Sequence, residues 1–296
     1  MIETRLLQYF LAVAQEQNIT RAARSLHISQ PTLSKQMMEL EQQLGKPLFI
    51  RGKKKIVLTD EGAYFRSRAR EIMDLMTKTE SMFRSDEDTI AGDIWFGCGE
   101  TPIMGCITQI FHELKAEYAG LRFHIFSGDA DAVLQQLDNG LLDMGLMLGA
   151  ANQEKYHQIP LNLKNRFGLL MPKDSPLASR SSIPTSLLPE LPLIVSQQTV
   201  SGQLLRQWLG KEYDELNIIA TYNLIYNATF MVEQGMGYGL CLENLVNTEG
   251  SRNLTFRPLS PELAETASLV VKKYQVLSRS AQLLLNEIIS RTCVTS

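Results

Sequence analysis

Apolar residues recur at helical spacing in the first 45 residues and predict three consecutive helices. The first helix is indicated by a stripe of large residues that ends near position 17, namely Leu6, Phe10 and Val13. Thr20 then stands where an N-cap belongs, ahead of a short helix over 21–27. The inner face of this short helix carries Ala22 and Ala23, whose small side chains allow another helix to approach closely.

The third predicted helix is amphipathic and follows the second after a tight turn. Ser29 is suited to cap it, and Pro31 is tolerated only in the first turn of a helix. Gly45 ends the helix. Its apolar stripe steps by four, three and four residues through Leu33, Met37, Leu40 and Leu44. Two helices in this arrangement predict a helix-turn-helix unit.

The face opposite that stripe carries side chains suited to DNA recognition. A helix that enters a major groove offers its N-terminal side chains to base edges, and its N-terminus favours a phosphate. Together with one residue before the turn, the candidate DNA-binding residues here are Thr20, Gln30, Pro31, Thr32, Ser34, Lys35 and Met38. The alternative is an ordinary solvated helix face, because polar residues opposite an apolar stripe are common.

A small basic hairpin is predicted directly after the helix pair. Apolar residues at 47–50 and 56–58 read as two short strands around a basic turn. The cations of this wing are Arg51, Lys53, Lys54 and Lys55. Closely spaced cations beside a helix-turn-helix are typical of phosphate contact, which adds affinity with little sequence choice. A lysine-rich turn that serves only solubility is the alternative, and the position of the turn argues against it.

The charge distribution supports this reading, although the whole chain has a net charge of −3. Residues 1–58 contain nine basic and four acidic side chains, whereas the remaining 238 residues contain twenty and twenty-eight. A basic head and an acidic body are therefore predicted, and only the head is expected to contact a polyanion.

Several of these segments resemble a known family. The run TRAARSLHISQPTLSKQ at 20–36, the triplet PLF at 47–49 and the run LTDEG at 58–62 resemble the N-terminal signature of LysR-type transcriptional regulators. The resemblance implies a winged helix-turn-helix over 1–59 and a sensing domain similar to periplasmic binding proteins. Lys35 stands where the family often has Arg, and a lysine cannot make the two-pronged contact of arginine with guanine.

A long helix is predicted from Asp60 to about residue 85, within a linker over 60–89. Its apolar residues alternate steps of four and three, as in a coiled coil, through Phe65, Ala69, Ile72, Met76, Thr79 and Phe83. Packing against its own body is the alternative, but three heptads favour self-pairing, and the resemblance implies the same. We therefore expect a homodimer or homotetramer on an inverted repeat in double-stranded DNA. RNA polymerase is a further expected partner.

Strands and helices alternate beyond Gly92, which predicts parallel α/β units. The expected fold class is thus α/β with an all-α, winged N-terminal unit. The resemblance implies an effector-binding domain over 90–296 built from two lobes. Lobe 1 is expected over 90–161 and 267–296 and lobe 2 over 162–266, with crossovers near 160–166 and 260–267.

Candidate effector-binding residues follow the carboxyl ends of predicted strands, where open α/β sheets bind ligands. They are Gly99, Glu100, Thr101, Ser127, Gly128, Ser196, Gln197, Thr199, Asn227 and Thr229. Each of them is also suited to a simple cap or turn. As a set they favour a small polar or anionic metabolite, and Arg166 is the one obvious cationic candidate nearby.

Other classes of protein find little support in the sequence. Gly97-x-Gly99 begins a dinucleotide motif, but Pro102 occupies its third glycine position, and other catalytic motifs are missing. We therefore expect no enzyme, no cofactor and no metal site. The cysteines lack metal or disulfide spacing, and neither a signal peptide nor a membrane span is evident, which predicts a cytoplasmic protein without membrane contact. An effector-independent or architectural DNA-binding protein remains the alternative.

Overall fold

The structure, a computed structural model, divides the chain into two compact units, Met1–Arg84 and Ser85–Ser296. It describes residues 1–52, 55–82, 90–201, 203–249 and 253–292. Within these ranges no helix combines the length and the apolar character needed to cross a membrane.

The first unit, the head, consists of four helices and a two-stranded wing. Its elements are α1 Thr4–Glu16, α2 Ile19–Ser25, α3 Gln30–Leu44, β1 Phe49–Arg51, β2 Ile56–Leu58 and α4 Asp60–Met82. Strands β1 and β2 pair antiparallel, with Phe49 opposite Leu58. The predicted helix-turn-helix and wing are therefore confirmed.

One core holds the head together, and all of its helices contribute to it. Phe10 of α1 is fully buried and contacts the rings of Phe49 and Phe65 at centroid distances of 5.1 and 4.8 Å. The apolar stripe of α3 contributes Leu33 and Met37, which are also fully buried. Because these residues fix the rotation of α3, the opposite face of that helix must point to solvent.

Helix caps in the head agree with the sequence in one case and differ in another. The hydroxyl of Ser29 accepts a hydrogen bond of 3.2 Å from the amide of Thr32, so Ser29 caps α3 as expected. The cap of α2 is Asn18, whose side chain accepts from the amide of Arg21 at 3.0 Å. Thr20 is therefore not the cap. The helix begins one residue before it, because the carboxamide of Asn18 already accepts from the first turn.

The wing is tied to the rest of the head by backbone groups. The carboxylate of Glu41 accepts hydrogen bonds from the amides of Leu48 and Phe49 at 2.7 and 3.1 Å. The amide of Ile56 donates to the carbonyl of Gln17 at 2.9 Å. These contacts hold β1 and β2 beside the helix pair, where a phosphate-contacting wing is expected.

The second unit, the body, is a mixed α/β structure. Its strands are β3 Gly92–Cys98, β4 Leu121–Ser127, β5 Met144–Leu148, β6 Tyr156–Pro172, β7 Ile183–Pro184, β8 Leu193–Ser196, β9 Ile218–Tyr222, β10 Tyr238–Leu242, β11 Leu254–Ser260 and β12 Ala264–Lys272. Its α-helices are α5 Met104–Glu117, α6 Ala130–Asp138, α7 Gln197–Ser201, α8 Leu204–Leu209, α9 Ile225–Glu233 and α10 Arg279–Thr292. The predicted alternation of strands and helices is thus confirmed.

The strands of the body form one connected sheet with two lobes. Its order is β4-β3-β5-β12-β6-β10-β8-β9, and β11 pairs with β6 and β7. Strand β3 is parallel to β4 and β5 in lobe 1, and β8 is parallel to β9 and β10 in lobe 2. Each lobe buries apolar residues on both faces of its strands. The carboxyl ends of the parallel strands are therefore available for ligands.

The lobes are joined by paired strands near the two predicted crossovers, 160–166 and 260–267. Strand β6 runs unbroken through the first segment, and β12 begins within the second, with Ala264 opposite Arg166 and Glu265 opposite Asn165. The pairing shifts register between Thr266 and Ser268. Strand β6 is difficult to recognise in the sequence, because polar residues lie on its outer face. The strand that pairs with its backbone, β12, lies about 100 residues later in the chain.

The segment between β8 and β9 contains several short helical elements. This part of the chain forms α7, α8 and a 3-10 turn over Gly210–Glu215, with Gly202 outside the described residues. Gly210, at the end of α8, adopts a φ of 62° and a ψ of −125°, a conformation that glycine tolerates and that cannot continue the helix.

Candidate nucleic-acid interface and effector cleft

The candidate DNA-contacting residues of α3 form one solvent-facing surface. The structure exposes Gln30, Pro31, Thr32, Lys35 and Met38 and leaves Ser34 half-buried. Thr20, which lies on α2, is also exposed. The buried residues Leu33 and Met37 lie on the opposite side of α3. The helix therefore presents hydroxyl, carboxamide and ammonium groups in its N-terminal half, which is the half that reaches base edges in a major groove.

The same surface contains a carboxylate that sequence reasoning missed. Glu39 accepts a hydrogen bond of 2.6 Å from the carboxamide of Gln36, and its carboxylate lies 3.8 Å from the ammonium of Lys35. The spacing of Lys35 and Glu39, four residues apart on a helix, is the signal that could have revealed the pair. The carboxylate of Glu39 therefore orients the side chains of both Gln36 and Lys35 on the surface of α3.

The wing carries the candidate phosphate contacts. Lys55 is exposed beside β2, and Arg51 pairs through its backbone with Ile56. Lys53 and Lys54 lie outside the described residues. The roles of these four cations remain predictions from the sequence.

The seam predicted for dimerisation is divided in the structure. Ala69 is fully buried in the core of the head, and Phe65 packs edge-on against Phe10 of α1. These two residues were expected to contact the α4 helix of a second chain. They pack inside the head instead, because the first turns of α4 lie against the core that α1 helps to form. Ile72 is 47% exposed and Met76 is half-buried. Phe83 lies outside the described residues.

In the body, a glutamate of lobe 1 contacts a helix of lobe 2. Glu100 follows β3, and its carboxylate accepts a hydrogen bond of 2.6 Å from the amide of Ile225, the first residue of α9. The carboxyl end of a strand and the N-terminus of a helix therefore meet across the cleft between the lobes. Glu100 was expected at the cleft, but the helix that it contacts was not foreseen.

A second polar pair lies next to Glu100. The hydroxyl of Thr101 donates to the carboxamide oxygen of Asn165 at 2.7 Å, and both residues are more than nine-tenths buried. The carboxamide nitrogen of Asn165 has no hydrogen-bond partner among the described residues. Burying a donor without an acceptor is costly, so this nitrogen is a point where a ligand acceptor would bind favourably.

Gln198 is a further contact across the cleft that sequence reasoning missed. Its carboxamide oxygen lies 3.4 Å from the amide of Ala130, and its nitrogen lies 3.5 Å from the carbonyl of Leu148. Both groups belong to lobe 1, whereas Gln198 belongs to α7 of lobe 2. The predicted neighbour Gln197 is exposed. Successive side chains of a helix point about 100° apart, so Gln198 faces lobe 1 while its neighbour Gln197 is exposed.

Other predicted cleft residues bond within their own lobe. The hydroxyls of Ser196 and Thr199 form a hydrogen bond of 2.7 Å. The hydroxyl of Thr229 donates to the carbonyl of Tyr226 at 2.6 Å. Helix α9 begins at Ile225. Thr229, predicted as an effector-binding residue, is therefore buried inside the helix, with its hydroxyl bound to the helix backbone.

The remaining predicted residues lie at strand ends, except for Asn227. The amides of Gly99 and Gly128 donate to carbonyls of neighbouring strands, and Ser127 is exposed at the end of β4. Asn227 is exposed in the first turn of α9. Their contribution to a binding site stays a prediction.

The expected cation of the cleft is already paired. The guanidinium of Arg166 lies 3.3 Å from the carboxylate of Glu243 and 3.1 Å from that of Glu262. These two carboxylates offset its charge, so Arg166 does not offer an unpaired cation to an effector. The sequence separation of 77 and 96 residues explains why these ion pairs were not anticipated.

Burial raises the pKa of two ionisable groups near Glu100. Burial, aided by the charges of Cys241 and Glu100, raises the pKa of Tyr222 well above its usual range. Burial also raises the pKa of the Cys98 thiol, with the carboxylate of Glu100 as a further cause and a hydrogen bond to Ser127 opposing it. Within the described residues, no group of three or more metal-binding side chains occurs.

Comparisons with protein families match both units. The model described as "Bacterial regulatory helix-turn-helix protein, lysR family" matches residues 4–63, and the model described as "LysR substrate binding domain" matches residues 87–292.

Individual relatives match from about half of the chain to nearly all of it. The Hca operon transcriptional activator HcaR of Escherichia coli (strain K12) is 27% identical over 277 residues, which are 92% of each chain. The HTH-type transcriptional regulator BsdA of Bacillus subtilis (strain 168) is 37% identical over 147 residues, 48% of this chain and 49% of BsdA. Full-length CbnR, solved in complex with its target DNA, has the same fold, with a TM-score of 0.78 and 19% identity over 98% of this chain and 99% of CbnR.

Proposed function

Since the chain belongs to the LysR family of transcriptional regulators, which bind DNA and carry an effector-binding domain, we propose that it recognises its operator through the exposed face of α3. The observation that carries this proposal is the anchoring of α3 by Leu33 and Met37. Their burial points Thr32, Ser34 and Lys35 away from the core. The CbnR complex, in which a protein of this fold is bound to its target DNA, supports the proposal.

The test separates base recognition from backbone contact. Replacing Ser34 or Lys35 with alanine should weaken binding to the operator by about 1–3 kcal/mol while leaving binding to unrelated DNA nearly unchanged, because base contacts carry specificity. Binding to both DNAs is measured by fluorescence anisotropy, with Gln43→Ala at the exposed far end of α3 as a matched control. Equal losses on both DNAs would contradict base recognition by α3.

The wing is proposed to contact phosphates. Replacing Lys53, Lys54 and Lys55 together with alanine should reduce the salt dependence of DNA binding, because fewer counterions are released. The slope of log K against log salt is expected to fall by up to about 0.9 for each phosphate contact that is lost. An unchanged slope would exclude the wing from the interface.

Self-association is proposed through the remainder of α4. Beyond the turns that the head covers, this helix exposes the apolar residues Ile72 and Leu75. Two such helices would bury these residues together and would give the protein the two-fold symmetry of an inverted repeat. Ile72→Glu together with Leu75→Glu should yield monomers by analytical ultracentrifugation, and a dimer that persists would contradict this interface.

The body is proposed to bind a small polar or anionic effector between its lobes. The support is the unpartnered carboxamide nitrogen of Asn165 beside Thr101 and the helix N-terminus at Ile225. A ligand that binds the folded protein raises its melting temperature by mass action, so a panel of small carboxylates and sugars is tested by differential scanning fluorimetry. If no compound shifts the transition, the effector-independent alternative is favoured.

A further inference from the structure

Glu100 fills a position at α9 that attracts carboxylates. The first amides of a helix have no acceptor within the helix, and the helix dipole favours an anion beside them. Residue 224, at the N-cap, is a leucine and supplies no capping side chain. The Glu100 carboxylate, 125 residues away in sequence and in the other lobe, accepts from Ile225 instead. One charged hydrogen bond therefore joins the two lobes.

Asn165 marks the floor of the same cleft. Alternate residues of a strand share a face, so the side chain of Asn165 points to the same side of β6 as those of Leu163 and Phe167. Leu163 packs against the core of lobe 1, and Phe167 belongs to the core of lobe 2. Asn165 thus points to the place where the two cores separate, and its carboxamide nitrogen there has no partner among the described residues.

The cleft accordingly contains two hydrogen-bond donors, one with an acceptor and one without an acceptor among the described residues. The amide of Ile225 is bound by Glu100, while the buried nitrogen of Asn165 has no partner among the described residues. Thr101 contacts Asn165 and is the residue directly after Glu100, so both donors are connected to one short loop after β3. An anion that entered the cleft would find one donor available and the other held by a carboxylate of the protein itself.

We propose that Glu100 is an internal carboxylate ligand that holds the lobes together at α9, and that an effector with a carboxylate group acts by displacing it. This proposal rests on the proposed effector-binding function of the body. Displacement would transfer the amide of Ile225 from Glu100 to the effector. The contact between lobes would then depend on the effector, which gives the body two states.

Hydrogen exchange at one amide tests the proposal directly. The amide of Ile225 has no acceptor inside α9, so its protection in the full-length protein reports on whatever carboxylate binds there. Glu100→Ala should accelerate its exchange roughly tenfold or more, since the bond to a charged group is lost. Sodium acetate, the probe carboxylate, should restore protection in Glu100→Ala, whereas sodium chloride at equal ionic strength should not.

Competition supplies the second measurement. Acetate, titrated by NMR shifts in α9, should bind Glu100→Ala at least ten times more tightly than the wild-type protein, because the internal competitor is gone. Glu100→Gln, which keeps an oxygen acceptor without the charge, should show intermediate exchange and remains informative if the alanine variant folds poorly. Glu154→Ala, which removes an exposed glutamate elsewhere in lobe 1, should behave like the wild type.

Three results would overturn the proposal. Unchanged exchange at Ile225 in Glu100→Ala would show that Glu100 does not hold the amide. Failure of acetate to restore protection would show that the helix end does not bind carboxylates. Equal acetate affinities in the two proteins would exclude competition. These results need neither DNA nor a natural effector, so they are distinct from a failure to find an effector in the melting experiments.

Discussion

The head and the body of this protein build their functional surfaces in opposite ways. In the head, the candidate DNA contacts project outward from α3, and the residues that orient them lie on the same helix. In the body, two of the candidate effector residues, Glu100 and Thr101, have hydrogen-bond partners far away in the chain. Thr101 and Asn165 are 64 residues apart, and Glu100 and Ile225 are 125 residues apart.

This difference determines what a substitution does in each unit. On the exposed face of α3 a side chain can change without disturbing the fold, because water replaces whatever contact is lost. In the cleft Thr101 and Asn165 are both buried, so the loss of one partner leaves the other buried and unpaired. The head can therefore change its specificity at low cost in stability, whereas the body couples ligand contacts to the packing of its lobes.

The largest expected effect separates the two sides of α3. Leu33→Ala removes a fully buried side chain and should destabilise the head by about 2–5 kcal/mol. Met38→Ala, on the exposed face of the same helix, should cost less than about 0.5 kcal/mol. Urea unfolding followed by circular dichroism measures both variants. Similar losses in the two variants would contradict the division of α3 into a buried and an exposed face.

An intermediate effect is expected from a long-range contact in the body. Asp143 is 4% exposed, and its carboxylate accepts a hydrogen bond of 2.8 Å from the amide of Trp95 on β3. Asp143→Ala should lower the free energy of unfolding of the body by about 1.5–3 kcal/mol, because the buried amide loses a charged acceptor. Asp143→Asn retains an acceptor and should lose less. If the two variants are equally destabilised, the hydrogen bond is not the cause.

The smallest effect concerns acid stability at the edge of lobe 1. Hydrogen bonds from Arg122 and then from His124 lower the pKa of Asp93 from 3.8 to about 2, although partial burial opposes them. Because the pKa is lower in the folded state, the ionised carboxylate stabilises the fold above pH 4, and this stabilisation is lost as the pH falls toward 2. It should amount to about 1 kcal/mol, since solvent screens the exposed Arg122.

Asp93→Asn tests this pH dependence. The variant should be less stable than the wild-type protein at pH 6, and the difference should shrink as unfolding is measured at progressively lower pH between 4 and 2. A difference that stays constant over this range would show that the ionisation of Asp93 does not contribute.

Sequence and structure agree best where a contact is local. The apolar stripe of α3, the cap at Ser29 and the break at Gly45 each act within one helix, so the helix-turn-helix and its exposed face could be predicted. The alternation in the body likewise revealed its α/β class. The cap of α2 was misplaced by two residues, because asparagine and threonine are both good caps and the sequence does not distinguish them.

The sequence by itself determined the helix-turn-helix, the alternation of strands and helices in the body, the basic head and the exposed face of α3, because periodicity and capping act over a few positions. Only the tertiary structure decided that β6 and β12 join the lobes as paired strands and that Arg166 is neutralised by Glu243 and Glu262. It also decided that Glu100 caps α9. Such contacts depend on how distant strands pair and how the lobes approach, and a hydrogen bond or ion pair leaves no periodic trace in the chain.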